Sequence, residues 1–339
     1  MSKILITGGA GYIGSHVAKQ LLEEGKEIII LDNLSTGNTL TLDTLTKIKK
    51  FVFVKEDLKN FERIKEVFKK YDISAILHFA ASIVVPESVE NPYKYYMNNT
   101  VNTTNLIGLA KKYKVPKFIF SSTAAVYGEP KSLSEYGIDE EYNTQPINPY
   151  GSSKLMSENI LKDIYNTSGL RYIIFRYFNV AGADINYENG KLSPRIGQSF
   201  PNATHLIKIA SECACRKRDK MYIFGDNYNT YDGTCIRDYI HVDDLAKAHI
   251  KAIDYLEKNS SDTFNIGYGK GVSVKEVIDT MKKVTGNDFE VETASKRPGD
   301  PAVLISNNTK IKEKMNWNPE YDDLELICKS AYVWESNCF

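Results

Sequence analysis

The 339-residue chain has no surplus of either charge: 43 Lys and Arg balance 43 Asp and Glu. Without a basic field to grip phosphates, no nucleic-acid partner is expected. No apolar run nears the roughly 20 residues that cross a bilayer, and the apolar stretch 28–31 is far too short, so no membrane partner is expected. The N-terminus lacks a leader pattern, because Met1-Ser2-Lys3 runs directly into a strand. Cysteine is scarce. Cys213, Cys215, Cys235, Cys328 and Cys338 are odd in number, irregularly spaced and without Cys-x-x-Cys. That argues against a disulfide framework or a zinc site, and for free thiols in a reducing cytoplasm. The five histidines, at 16, 78, 205, 241 and 249, form no ligand pattern, so no metal is expected. What remains is ordinary for a globular protein, 42% apolar and 25% charged, and long enough for one large or two medium domains.

The chain does have a glycine loop at its start. Gly8, Gly11 and Gly14 stand between a strand over 3–7 and a helix over 13–24. Strand, loop, helix and second strand come in the order that a dinucleotide site requires. Glycines let the backbone approach a pyrophosphate, and the helix N-terminus adds favourable charge. Asp32 closes the second strand (27–31), placed to accept from an adenosine ribose hydroxyl and to repel a 2′-phosphate, which favours NAD over NADP. Asp57, after a third strand (51–54), either accepts from adenine or caps the helix over 61–70.

Further strands over 75–79, 117–121 and 171–175 alternate with helices over 93–113 and from 149. This alternation predicts an α/β fold with a doubly wound parallel Rossmann-type sheet. After 179 the pattern turns irregular, with helices over 206–215, 242–256 and 273–284. The expectation is a dinucleotide-binding domain over 1–178 and a smaller mixed C-terminal lobe over 179–339 that binds substrate, with some interleaving of chain.

The chemical centre is Tyr150 with Lys154, four residues apart and so on one helical face. A phenol ionises near pH 10, so acting as a base near pH 7 takes roughly 4 kcal/mol of help. Lys154 and an oxidised nicotinamide would supply it. Thr123, closing Ser121-Ser122-Thr123 at a strand end, can bridge a substrate oxygen and the phenol. The pattern indicates hydride and proton transfer at a carbinol carbon.

With these residues in place, the sequence resembles the extended short-chain dehydrogenases, and among them the UDP-glucose 4-epimerase family. The matching stretches include Thr-Gly-Gly-Ala-Gly-Tyr-Ile-Gly-Ser-His (7–16), His-Phe-Ala-Ala (78–81), Phe-Ile-Phe-Ser-Ser-Thr (118–123) and Asn-Pro-Tyr-Gly-Ser-Ser-Lys (148–154). Arg-Tyr-Phe-Asn (176–179), Ile-Arg-Asp-Tyr-Ile-His (236–241) and Arg-Pro-Gly-Asp (297–300) follow. The resemblance implies that Thr123 and Tyr150 are the catalytic pair and that Lys154 orients the nicotinamide ribose. It implies cofactor contacts from Tyr12, Ile13, Asn33, Leu58, Phe79, Ala80, Ala81, Asn98, Ser121 and Tyr177, besides the three glycines, Asp32 and Asp57. It implies that Asn179, Tyr222, Phe224, Arg237, Arg297, Asp300 and Leu304 hold a UDP-sugar, with the arginines on its diphosphate.

A tyrosine at the Leu304 position restricts such enzymes to plain hexoses. Leucine there implies room for an N-acetyl group, unless Leu304 is only a strand core residue. Two departures stand out. Ile83 replaces a lysine of well-known members, and His205 falls where many have an asparagine near the uracil. His241 looks catalytic by type, but its place in Tyr-Ile-His-Val suggests a structural role. The implied activity is reversible 4-epimerisation of UDP-hexoses by a homodimer pairing through helices 93–113 and 149–166. A nucleotide-sugar 4,6-dehydratase ranks below it, because Ala124 and Ala125 follow Thr123 where that chemistry needs an Asp-Glu pair. A non-catalytic NAD-sensing protein would have no reason to keep Thr123, Tyr150 and Lys154 together.

Overall fold

Lys3–Thr7 and Ile28–Asp32 are runs of Ile and Leu without polar alternation, and they are buried on both faces, as inner strands of a parallel sheet are. The computed structural model describes residues 2–130, 137–200, 203–297 and 299–337. Cys338 and Pro298 lie outside them. The chain forms two compact units. One is Met1–Gly128, Asn143–Arg176 and Ala246–Phe264; the other is Glu129–Tyr142, Tyr177–Leu245 and Asn265–Phe339.

In chain order the elements of the sheet and its crossovers are β1 (Lys3–Thr7), α1 (Tyr12–Glu23), β2 (Ile28–Asp32), α2 (Thr39–Ile48), β3 (Val52–Lys55), α3 (Phe61–Lys70) and β4 (Ile73–His78). Then come α4 (Val85–Glu90), α5 (Pro92–Tyr95), α6 (Asn102–Lys112), β5 (Lys117–Thr123), α7 (Pro149–Ser168) and β6 (Arg171–Tyr177). A seventh strand, Asp262–Ile266, lies beside β6, giving the order seventh-β6-β5-β4-β1-β2-β3. β1 pairs in parallel with β2 and β4, β2 with β3, and β4 with β5. The order reverses between β1 and β4. At such a switch point the strand ends open a crevice where ligands bind.

One face of the sheet buries Leu5, Ile29, Ile76, Phe118, Phe120 and Ile174 against Ile64, Val67 and Phe68 of α3, Leu106 and Ala110 of α6, and Leu161 of α7. Each large apolar side chain removed from water contributes about 1.5–3 kcal/mol, so this layer rigidly fixes the strand ends.

The helix expected over 93–113 is interrupted. Between α5 and α6 the backbone makes a π-helical segment, Tyr96–Val101. The irregular turn is offset by side-chain bonds. Asn99 Oδ1 accepts from Ser82 N at 2.8 Å, its Nδ2 donates to Ser82 O at 2.9 Å, and Asn98 Nδ2 donates to Ser82 Oγ at 3.0 Å. Such insertions recur at functional sites.

In the second unit, Lys220–Phe224 pairs in parallel with Glu290–Ala294. Ile236–Arg237 lies between Val272–Ser273 and Val303–Leu304, and Tyr239–His241 pairs with Asn179–Ala181. His241 is wholly buried, and its Nδ1 accepts from Asp243 N at 3.1 Å, a structural arrangement.

Candidate active site

Gly8 follows β1 with φ +70, a conformation that suits glycine, and a Cβ there would stand 2.7 Å from Ala80 N. Gly14 packs back on the loop: a Cβ would meet Gly8 O at 2.3 Å. α1 therefore starts tight against the end of β1. Its N-cap, Gly11, has no capping side chain, and the first turn holds no acidic residue, which leaves the amide end open to an anion. Tyr12 and Ile13 open this helix, both half-buried.

Asp32 closes β2. Its Oδ2 accepts from Ala10 N at 3.0 Å and its Oδ1 from Leu34 N at 2.8 Å. Burial pushes this carboxyl up, and the two amides oppose the shift. Each oxygen retains a lone pair for a sugar hydroxyl. Asn33 donates to Asp57 Oδ2 at 2.9 Å, so these two meet at the ends of adjacent strands, beside buried Leu58. Asp57 does not cap α3, whose N-cap is Asn60; it accepts instead from Lys59 N at 2.9 Å. Phe79, Ala80 and Ala81 follow β4, where Phe79 N donates to Thr7 O at 3.0 Å. Ile83 is 45% exposed. The loop glycines, Asp32, Asp57, Phe79 to Ala81 and Asn98 all belong to the first unit. They fit a dinucleotide: a backbone cradle, an anion-ready helix end and a carboxylate one strand away.

α7 is capped by Asn148, whose Oδ1 accepts from Gly151 N at 2.9 Å, with Pro149 in the first turn. A Cβ on Gly151 would lie 2.6 Å from Ala125 O, so glycine lets the helix start close against the turn after β5. This brings Tyr150 and Lys154 to the end of β5. Lys154 Nζ donates to Ser121 O at 2.8 Å and lies 5.0 Å from the Phe120 ring centroid. Burial pushes the Lys154 ammonium down to about 7, and the carboxylate of Glu158 opposes that. Burial pushes the Tyr150 phenol up, while a hydrogen bond with the Thr123 side chain pulls it down. Thr123 Oγ1 also accepts from Ala125 N at 3.1 Å. The phenol thus needs more cationic help than free tyrosine would, and Lys154 is poised between its charged and neutral forms.

The second unit holds a cavity of about 570 Å³, lined among others by Asn179, His205, Tyr222, Phe224, Arg237, Arg297 and Asp300. Arg237 is paired with Asp300, and its Nη1 donates to Ile236 O at 2.8 Å. The Arg297 guanidinium stacks 3.7 Å from the Phe224 ring centroid, with the Tyr222 ring 6.3 Å from that of Phe224. His205 is bonded through Nδ1 to Gln198 Nε2 at 2.9 Å, and burial pushes its ring down. With Arg218 also in the lining, three arginines against one aspartate suit a doubly charged diphosphate. Leu304 is the register partner of Arg237 and half-buried, and its carbonyl accepts from Asp238 N at 3.2 Å. It is not among the residues lining this cavity. Tyr177, at the end of β6, is buried in the second unit rather than the first.

The chain is similar to known proteins along nearly its whole length. A family profile described as GDP-mannose 4,6 dehydratase matches residues 5–330. A UDP-glucose 4-epimerase of Azospirillum brasilense is 45% identical over 334 residues, covering 98% of this chain and 92% of that protein. The chain belongs to the UDP-glucose 4-epimerase family. The structure of the UDP-Glc/GlcNAc 4-epimerase from Campylobacter jejuni is 55% identical, covers all of both chains and superposes with a TM-score of 0.86. The UDP-glucose 4-epimerase from Bifidobacterium longum, in complex with NAD+ and UDP, is 35% identical over 98% of both chains, with a TM-score of 0.90.

Sequence reading overlooked several residues here. Arg218, Thr204 and Tyr239 also line the cavity. Ser122, Glu158 and Arg176 form a buried polar group behind Lys154. Two signals were available: Glu158 continues the four-residue ladder from Tyr150 through Lys154, and Arg176 interrupts an apolar strand, Arg-Tyr-Ile-Ile-Phe-Arg-Tyr.

Proposed function

We propose that this chain is an NAD-dependent UDP-hexose 4-epimerase, interconverting UDP-glucose and UDP-galactose and also the N-acetylated pair. The carrying observation is the meeting of Tyr150, Thr123 and Lys154 at the end of β5, beside a dinucleotide cradle, in a chain 45% identical to a UDP-glucose 4-epimerase. Tyr150 takes the proton of the sugar 4-hydroxyl, with Thr123 bridging the two oxygens. Lys154 lowers the cost of the tyrosinate and holds the cofactor ribose. Bound NAD supplies a reversible hydride acceptor for C4, so the sugar passes through a 4-keto state. Tyr150 then returns the proton as the reduced sugar of either configuration forms. Arg237 and Arg297 take the diphosphate, Asn179, Tyr222 and Phe224 the remainder of the nucleotide, and Asp300 fixes the Arg237 fork.

A dehydratase would have to remove water across C5 and C6. Ala124 and Ala125, in the turn after Thr123, have no proton to give or take. Similarity to the Campylobacter UDP-Glc/GlcNAc enzyme supports the wider sugar range. Incubating the protein with UDP-galactose and with UDP-N-acetylgalactosamine, and separating the products by chromatography, tests the reading. Two epimer pairs are expected. A product lighter by one water would indicate the dehydratase, and no product an NAD-sensing role.

A homodimer accords with the exposed apolar side chains along 89–101: Val89 at 63%, Tyr93 at 74%, Met97 at 40% and Val101 at 39%. Solution scattering at the mass of one chain would reject it. The described cysteines form no disulfide, in keeping with a reducing cytoplasm, and no described helix is long and apolar enough to cross a membrane.

A further inference from the structure

Tyr150, Lys154 and Glu158 stand at successive turns of α7, and all three address the end of β5. The mechanism above uses the first two. Glu158 is fully buried, and burying a carboxylate is costly unless it is paired. Its partner is Arg176 of β6, with Nη2 to Oε2 at 2.7 Å and Nε to Oε1 at 3.2 Å. Arg176 is itself held by Tyr127, whose hydroxyl accepts from Nη1 at 3.0 Å. Glu158 also meets the strand that carries Thr123: Ser122 Oγ donates to Oε1. Ser122 sits between Ser121, whose carbonyl receives Lys154, and Thr123, which bonds Tyr150.

We propose that Glu158 is a positioning residue of the reaction: anchored by Arg176, it clamps Ser122 and so fixes the strand end that holds Lys154 and Thr123, and it supplies the counter-charge one turn behind Lys154. The inference rests on the epimerase reading. The charge component follows from the groups that face Lys154. On its own helix these are Tyr150 and Glu158. From β4 comes His78, which burial holds neutral, down to about 3. From β5 come the Ser121 carbonyl and the Phe120 ring. Arg176 stands behind Glu158, and Lys162 reaches Glu158 from the next turn at 3.9 Å. Glu158 is the carboxylate that holds the Lys154 ammonium up against burial.

The test is Glu158→Gln in the NAD-loaded enzyme, beside the paired variant Glu158→Gln with Arg176→Gln, which leaves no stranded buried cation. An opposite charge at this range moves a titration by one to three pH units, and Arg176 offsets part of it, so about one unit is expected. The alkaline limb of kcat should fall about one pH unit lower, costing about fivefold at the wild-type midpoint, with KM unchanged. Stability gives a readout without turnover. Burial pushes Lys154 down to about 7 in the folded chain from 10.5 when free. Between those values the native state binds fewer protons, so stability rises with pH across that window. In the variants the urea midpoint should begin its rise about one pH unit lower. Ser122→Ala keeps both charges, so it should lower kcat without moving the limb. An unmoved limb and urea profile in the glutamine variants, or a fall in kcat that is uniform across pH, overturns the charge component. Wild-type kcat in Ser122→Ala overturns the clamp. If the wild-type enzyme turns over no UDP-sugar, the epimerase reading fails, and the urea profiles still decide the role of Glu158 toward Lys154.

Discussion

Gly14→Ala is the sharpest perturbation of the cofactor loop, because its cost can be worked from distances. The new methyl would stand 2.3 Å from Gly8 O and 2.9 Å from both Gly8 C and Gly9 Cα, all backbone atoms. No side chain can swing aside, so the loop or α1 must shift. Overpacking a close-packed site costs about 1–3 kcal/mol, and contacts this short place the change at the upper end. The displaced loop would also lose its fit to the pyrophosphate, so the enzyme should emerge largely without NAD. Gly11→Ala is the graded comparison, since its methyl meets only Gly8 O, at 3.2 Å, a strain of tenths of an ångström. Gly108→Ala is the control: it lies exposed in α6 with nothing within 4 Å, and should gain about 0.5–1 kcal/mol from helix propensity. The assay is the NAD released by acid from purified protein, read with the urea midpoint. Full NAD occupancy and a wild-type midpoint in Gly14→Ala would refute the reasoning.

Tyr150→Phe should lower kcat a hundredfold or more while NAD stays bound, since the phenol is the proposed base and the ring would only pack; near-normal turnover would remove Tyr150 from the mechanism. Denatured wild-type protein should release NAD and not NADP, because the Asp32 carboxylate repels a 2′-phosphate; mass spectrometry of the extract decides it. Arg237→Met should raise KM for UDP-sugars by roughly 10- to 100-fold, the worth of a charge-assisted phosphate contact, with NAD content unchanged. Leu304→Tyr should cut turnover of the N-acetylated pair and spare UDP-galactose. Equal losses on both would show that Leu304 acts as strand core.

Local periods were legible in the sequence. Lys3–Thr7 and Phe61–Lys70 fall where apolar spacing puts them, and most other elements start or stop one or two residues away. The spacing of Tyr150 and Lys154 defines one helical face whatever the helix packs against. The glycines mark the loop because few other residues fit its backbone. Each of these features is written in consecutive residues, so backbone geometry alone reads it. The seventh strand, Asp262–Ile266, is Asp-Thr-Phe-Asn-Ile, too short and too polar to stand out; it is a strand because β6 offers an edge to pair with. The π-helical turn at Tyr96–Val101 exists because Asn98 and Asn99 find Ser82, 16 and 17 residues away. The cavity gathers Asn179 through Asp300. Glu158, Arg176 and Ser122 look like three unrelated polar residues in sequence. They become one buried group only when the sheet stacks β5 and β6 under α7. A desolvated carboxylate must find its cation, and distant pairing of that kind is decided by tertiary packing.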